Sequence, residues 1–211
     1  MATPSVKILA RLQRLYPKAT SALDFKTPLQ ALIAAILAAQ CTDARVNQVT
    51  PELFRKYCKA EDYARVPLTT LQNDIRSINF YRNKARSIQA CCRLLMEKFG
   101  GKVPKTLEEM VELPGVGRKT ANMVLGNSYG IPGIIVDTHV IRAAFRLGLT
   151  REQKPEKIEA DLRKLVPKPR WTLFSHQLSS HGRTVCKAPA PLCSQCALNP
   201  LCPKAGVQRS K

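Results

Sequence analysis

The chain has 211 residues, 45% of them apolar, and carries 34 lysines and arginines against 15 aspartates and glutamates, a formal net charge of +19. That length buries about 70% of the unfolded surface, as one large or two small domains. The basic excess points to a polyanionic partner, nucleic acid ahead of a membrane, since the most apolar stretch, Leu29 to Ala39, has 11 residues where spanning a bilayer takes about 20.

The N-terminal MATPSVKILARLQRLYPK has no uninterrupted apolar core, so it is not read as a secretory signal, and a cytoplasmic, nucleoid-associated protein is expected. Residues 4–16 place Val6, Ile8, Leu9, Leu12 and Leu15 on one face, the pattern of a basic amphipathic helix. Thr27 and Pro28 form a cap and first-turn proline for a helix over 28–39, apolar nearly all round and therefore a buried central helix. Gln40 to Asp43 are polar where the chain leaves the core, and Asp43 is expected to cap a helix reaching about Tyr57. Helical patterns follow at about 60–65, 69–77 and 83–99, the last stopped by Gly100-Gly101. Between them Asn79 to Asn83 interleave aromatic, polar and basic residues. Phe80 and Tyr81 are either core anchors or a wedge that stacks on unpaired bases.

Thr106 to Glu109 make a capping box that opens a short helix to Leu113. Pro114 to Gly117 then form a Gly-x-Gly turn, and a second helix runs from about Gly117 to Asn127. The pair is a helix-hairpin-helix over about 106–127. Ile134 to Val136 are a short apolar segment, and Asp137 caps a helix to about Leu147. The helix over 155–165 has acidic residues early and Arg163 and Lys164 late, in keeping with its dipole. A last helix, about 169–181, leads into a cysteine-rich loop. No alternating stretch and no repeat is present, so the class is all-α.

Three constellations carry chemistry. Gly115, Val116, Gly117 and Arg118 form a turn whose main-chain amides can hold phosphate oxygens without reading sequence. Lys119 follows in the first helical turn, where the dipole and partial burial would favour the nucleophilic neutral amine; the alternative is a lysine that only pairs with phosphate. Asp137 is either a plain helix cap or a carboxylate that balances positive charge on a sugar or takes a proton from Lys119. Cys186, Cys193, Cys196 and Cys202 lie within 17 residues with spacing C-x6-C-x2-C-x5-C. That spacing fits neither the common zinc nor the common ferredoxin pattern, so both metals stay open. The other cysteines, Cys41, Cys58, Cys91 and Cys92, are scattered in helical patterns.

Taken together, LAAQCTD (37–43), INFYRNKA (78–85), LPGVGRKTANMVL (113–125), VDTHVIR (136–142), HGR (181–183) and the cysteine loop 186–202 resemble the endonuclease III family of helix-hairpin-helix DNA glycosylases. The resemblance covers nearly the whole chain. It implies two helical lobes, 22–131 and a second built from 1–21 plus 132–211, with a DNA-binding cleft between them. It implies removal of oxidised pyrimidines from double-stranded DNA and cleavage of the abasic site by a monomer. Lys119 would be the nucleophile, Asp137 the catalytic carboxylate, and the four cysteines the ligands of a 4Fe-4S cluster. Gln40 matches a residue that fills the gap left by a flipped base. Phe80 falls where many members have a leucine wedge and Ala38 where a serine is common, which affects substrate range. His139 and Lys187 are carried as further DNA contacts. An adenine mismatch glycosylase is the rival enzyme, but that family lacks the hairpin lysine and has an extra C-terminal domain, whereas this chain stops nine residues after Cys202. A non-enzymatic DNA-binding protein with structural zinc is the rival from another class, and would be colourless where an iron–sulfur protein is yellow-brown.

Overall fold

A computed structural model describes residues 4–211, and among them every regular element is helical. The chain divides into two compact units. One is continuous, Ser21–Ile131; the other joins the N-terminal residues up to Thr20 with Pro132–Lys211. Among the described residues no helix is long and apolar enough to cross a membrane.

The continuous unit holds α2 (Pro28–Ala38), α3 (Asp43–Lys56), α4 (Ala60–Arg65), α5 (Leu68–Asp74), α6 (Tyr81–Phe99), α7 (Leu107–Glu112) and α8 (Arg118–Tyr129). Its centre is α2, with Ala31 through Leu37 all buried, packed against α3, α6 and α8. A helix apolar on every side can only sit inside, and Thr27 starts it by accepting the Gln30 amide at 3.2 Å. The next start differs from expectation. Thr42, not Asp43, is the cap of α3, its hydroxyl accepting from Arg45 N, and Asp43 occupies the first helical position. Both place an acceptor near the open amides, and the hydroxyl one residue earlier has the extended backbone that a cap requires. Helix α6 begins at Tyr81, so Tyr81 to Asn83 lie on the helix and not in a loop. The box at Thr106 closes on one side only: Thr106 Oγ1 accepts from Glu109 N and donates to the Glu109 carboxylate at 2.7 Å. Cys41 and Cys58 lie outside the helices, and only Cys91 and Cys92 are buried helical residues.

The second unit contains α1 (Pro4–Leu15), α9 (Thr138–Arg146), α10 (Pro155–Leu165) and α11 (Trp171–Thr184), followed by a loop with two short 3-10 turns. Its core gathers Ile8 and Leu12 with Val136, Val140, Leu147, Ile158, Leu162, Phe174 and Leu178. Helix α1 therefore uses a narrower stripe than its pattern suggested. Ile8 and Leu12 are buried, four residues apart on one face, while Val6 and Leu15 at the ends of that arc remain exposed. Helix α11 packs along α9. A Cβ on Gly182 would lie 2.9 Å from the His139 carbonyl oxygen and 2.9 Å from its Cβ, so only glycine permits that approach.

Candidate active site

In the continuous unit, Gly115 turns the hairpin at φ +80°, and a Cβ there would meet the Ser87 Cβ at 2.9 Å. Gly117 is different. It has the ordinary extended backbone of an N-cap, and a Cβ would find open space. Neither packing nor an unusual backbone requires glycine at 117; it is an ordinary N-cap residue that leaves the main chain there uncovered by a side chain. As N-cap of α8 it provides no side chain for the first amides of the helix, which have no intrahelical acceptors. Val116 stands apart from its neighbours. Its side chain is buried and its amide donates to the Leu113 carbonyl at 3.0 Å, so it anchors the hairpin. Arg118 and Lys119 open α8 and are exposed. Lys119 is thus not partly buried, as its proposed chemistry had suggested; any desolvation has to come from what lies over it.

At the opposite ends of α2 and α6 from Pro28 and Phe99, the same unit presents Gln40 and Phe80. Both are non-glycine residues in the left-handed region, at φ +51° and +57°, a conformation costing about 1–3 kcal/mol each. Phe80 is 60% exposed, which removes the core-anchor alternative. Tyr81 is half-buried, with its hydroxyl accepting from Arg82 Nε. The Asn79 side-chain amide donates to the Gln40 carbonyl at 2.9 Å and ties the two strained positions together.

In the second unit, the extended 133–136 segment delivers Asp137. Its course is set by α11: the Ile135 amide donates to Ser175 Oγ at 2.9 Å, and that hydroxyl donates to the Trp171 carbonyl. Asp137 then caps α9, with Oδ1 accepting from Val140 N at 2.7 Å. Its other oxygen, Oδ2, accepts from Ser179 Oγ at 2.8 Å and has the Arg183 guanidinium at 3.9 Å. The carboxylate is 14% exposed. His139 is half-buried; its Nδ1 accepts from Arg142 at 3.2 Å. Burial lowers its pKa, against the Asp137 charge that raises it. Ser179 and Arg142 were not singled out in the sequence. Ser179 lies 42 residues from its carboxylate, a separation no local pattern bridges.

The four cysteines line one small, partly open pocket, together with Arg146, Leu147, His181, Val185, Leu192 and others. Among the described residues no three His, Cys, Asp or Glu side chains converge closely enough to hold a single ion. Burial pushes the thiols of Cys196 and Cys202 up, so thiolates in this apolar lining need a cationic centre to hold them. Four thiols on one pocket are a donor set whose chemistry suits a thiolate-held metal centre. Two arginines one turn apart on α9 brace the loop: Arg142 donates to the Gly182 and Cys186 carbonyls at 2.8 and 2.9 Å, and Arg146 donates to the Lys187 and Pro189 carbonyls at 2.8 and 3.2 Å. Lys187 itself is exposed.

This helical fold with its glycine hairpin defines a class. The pattern of HhH-GPD superfamily base excision DNA repair proteins matches residues 33–168. Endonuclease III of Synechocystis sp. is 51% identical over 202 residues, spanning 95% of this chain and 92% of that protein. Endonuclease III of Bacillus subtilis is 46% identical over 204 residues, spanning 96% and 93%. A solved structure of a trapped endonuclease III–DNA covalent intermediate, an estranged-adenine complex, superposes with a TM-score of 0.91 at 44% identity and covers 97% of both chains. The chain belongs to the endonuclease III family, and it is a base excision repair DNA glycosylase with abasic-site lyase activity.

Proposed function

We propose that this enzyme removes oxidised pyrimidines from double-stranded DNA and cuts the abasic strand through a Schiff base on Lys119. The observation that carries the reading is Lys119 itself: an exposed amine at the second position of α8, two residues after a glycine N-cap that offers no side chain to the first amides of the helix. A related solved structure is a trapped covalent DNA intermediate, which supports a covalent route here.

The first amides of α8, with Gly115, Val116, Gly117 and Arg118 shaping the turn, hold a phosphate. His139 and Lys187 are further backbone contacts, and Gln40 and Phe80 enter the duplex as the damaged nucleotide leaves the stack. The Lys119 amine then attacks the sugar C1′. The new C1′–N bond forms as the bond to the base breaks, and the base departs with that electron pair. Opening of the sugar ring gives an imine, which acidifies C2′. Loss of the C2′ proton expels the 3′ phosphate and cuts the strand. Asp137 stabilises positive charge on the sugar or accepts the amine proton. Cys186, Cys193, Cys196 and Cys202 would hold a 4Fe-4S cluster, which supplies a covalent crosslink and one-electron redox chemistry. Four thiols lining one pocket supply the donor set for it.

Borohydride with a duplex carrying one abasic site should trap a protein–DNA adduct. Lys119→Ala should abolish trapping while keeping salt-dependent DNA binding. An adduct of undiminished yield in that variant overturns the assignment.

A further inference from the structure

Lys84 is a buried ammonium that none of the steps above uses. Its Nζ donates to the Leu37 carbonyl at 2.7 Å, one of the last carbonyls of α2 and so one without an intrahelical partner. Its backbone amide donates to the Phe80 carbonyl at 3.0 Å. The Lys84 side chain therefore holds the end of α2, three residues before Gln40, from the first turn of α6, and the bond to Phe80 is the helical bond that opens that turn. Asn79 adds the second tie, from its side chain to the Gln40 carbonyl. A buried charge is costly, and left-handed non-glycine residues persist only where their surroundings over-determine them. Both costs fall on the same few residues.

We propose that Asn79 and Lys84 are positioning residues that preset Gln40 and Phe80 for entry into duplex DNA, so that extrusion begins from a rigid, already ordered pair. The inference rests on the reading of Gln40 and Phe80 given above. Ordering these residues in the free protein removes that cost from the binding step. The two ties differ in character. The Lys84 contact is buried and charged, so it fixes the end of α2; the Asn79 contact is exposed and neutral, so it trims the direction of the Gln40 turn.

The test compares strand cutting at one abasic site in a duplex with cutting of the same strand unpaired, where no base stack has to be opened. The readout is the ratio of the two single-turnover rates, with 2-aminopurine beside the site reporting extrusion. Asn79→Ala should lower the ratio about fivefold, the value of one neutral hydrogen bond. Asn79→Asp, which keeps the size but places an acceptor against the Gln40 carbonyl, should lower it further. Lys84→Met should lower it more than either, with partial recovery in Lys84→Gln, which restores an N–H donor. If Lys84→Met does not fold, the exposed Asn79 pair still decides. An unchanged ratio in both Asn79 variants overturns the proposal, as does an equal fall in both rates, which is general destabilisation. If Gln40→Ala and Phe80→Ala also leave the ratio unchanged, the duplex-entry reading itself has failed; if they lower it and the Asn79 variants do not, only the tie has failed.

Discussion

Helices α8 and α9 begin in opposite ways. Each leaves its first amides without intrahelical acceptors. At α9 the chain supplies an acceptor itself: Asp137 takes the Val140 amide with one oxygen, while Ser179 Oγ donates to the other. At α8 the cap is Gly117, which has no side chain to accept from those amides, at a cost of only a few tenths of a kcal/mol relative to a side-chain cap. The first start is finished within the protein. The second has no side-chain cap, and on the proposed reading a phosphate finishes it, with Lys119 beside it. On the proposed reading, the kind of cap separates a helix start that serves the fold from one that serves DNA, with Asp137 doing both.

The sharpest way to break that comparison is to separate the cap from the charge at 137. Asparagine is as good a cap as aspartate, and Ser179 can turn its hydroxyl to accept from the new amide. Asp137→Asn should therefore keep stability within about 1 kcal/mol while excision falls on the order of 10² or more, as for a lost general acid–base group. Asp137→Ala should lose the activity and the cap together. Urea midpoints beside single-turnover excision rates check this; if asparagine retains full activity, Asp137 is only a cap.

The two hairpin glycines divide along the same line. Gly115→Ala forces a Cβ against Ser87 at φ +80°, and should cost about 2–4 kcal/mol of stability from overpacking and backbone strain. Gly117→Ala meets nothing and needs no unusual backbone, so only the poorer capping of alanine acts and stability should fall by no more than about 1 kcal/mol. Its effect should appear in affinity for undamaged duplex, a weakening of about tenfold if a charge-assisted contact to phosphate is lost. Equal stability losses in the two variants would show that both glycines serve the fold.

The all-helical class was legible because helices announce themselves locally. Thr27-Pro28 starts α2, Gly100 stops α6, and the apolar run of α2 marks a buried centre. The family's motifs were legible for the same reason: each is a short contiguous run. What could not be read joins distant residues. Ser179 reaches Asp137, Asn79 reaches Gln40, Lys84 reaches Leu37 and Arg146 reaches the Lys187 carbonyl, all through tertiary packing. The cap at Thr42 was missed because Thr42 and Asp43 are both good caps, and the backbone at the end of α2 decides between them. The burial of Lys119 was misjudged because neighbouring residues on a helix start say nothing about what covers it.

The smallest effect concerns what stands behind the α9 start. His176, on α11, is buried, and burial holds its pKa at about 4 against an ordinary 6.5, with the Asp137 carboxylate opposing the shift. In the unfolded chain the ring takes up a proton as pH falls through about 6.5, while the folded ring stays neutral until about 4. Protons therefore favour the unfolded chain throughout that window. The stability contribution is complete above pH 6.5 and is lost on acidification, by up to about 1.4 kcal/mol per pH unit. His181, also held at about 4 by burial, adds a second slope of the same sign. Urea midpoints at pH 7.5 and 5 should show His176→Gln destabilised at both values but losing less between them than the parent. An unchanged difference would assign the acid sensitivity to groups other than His176.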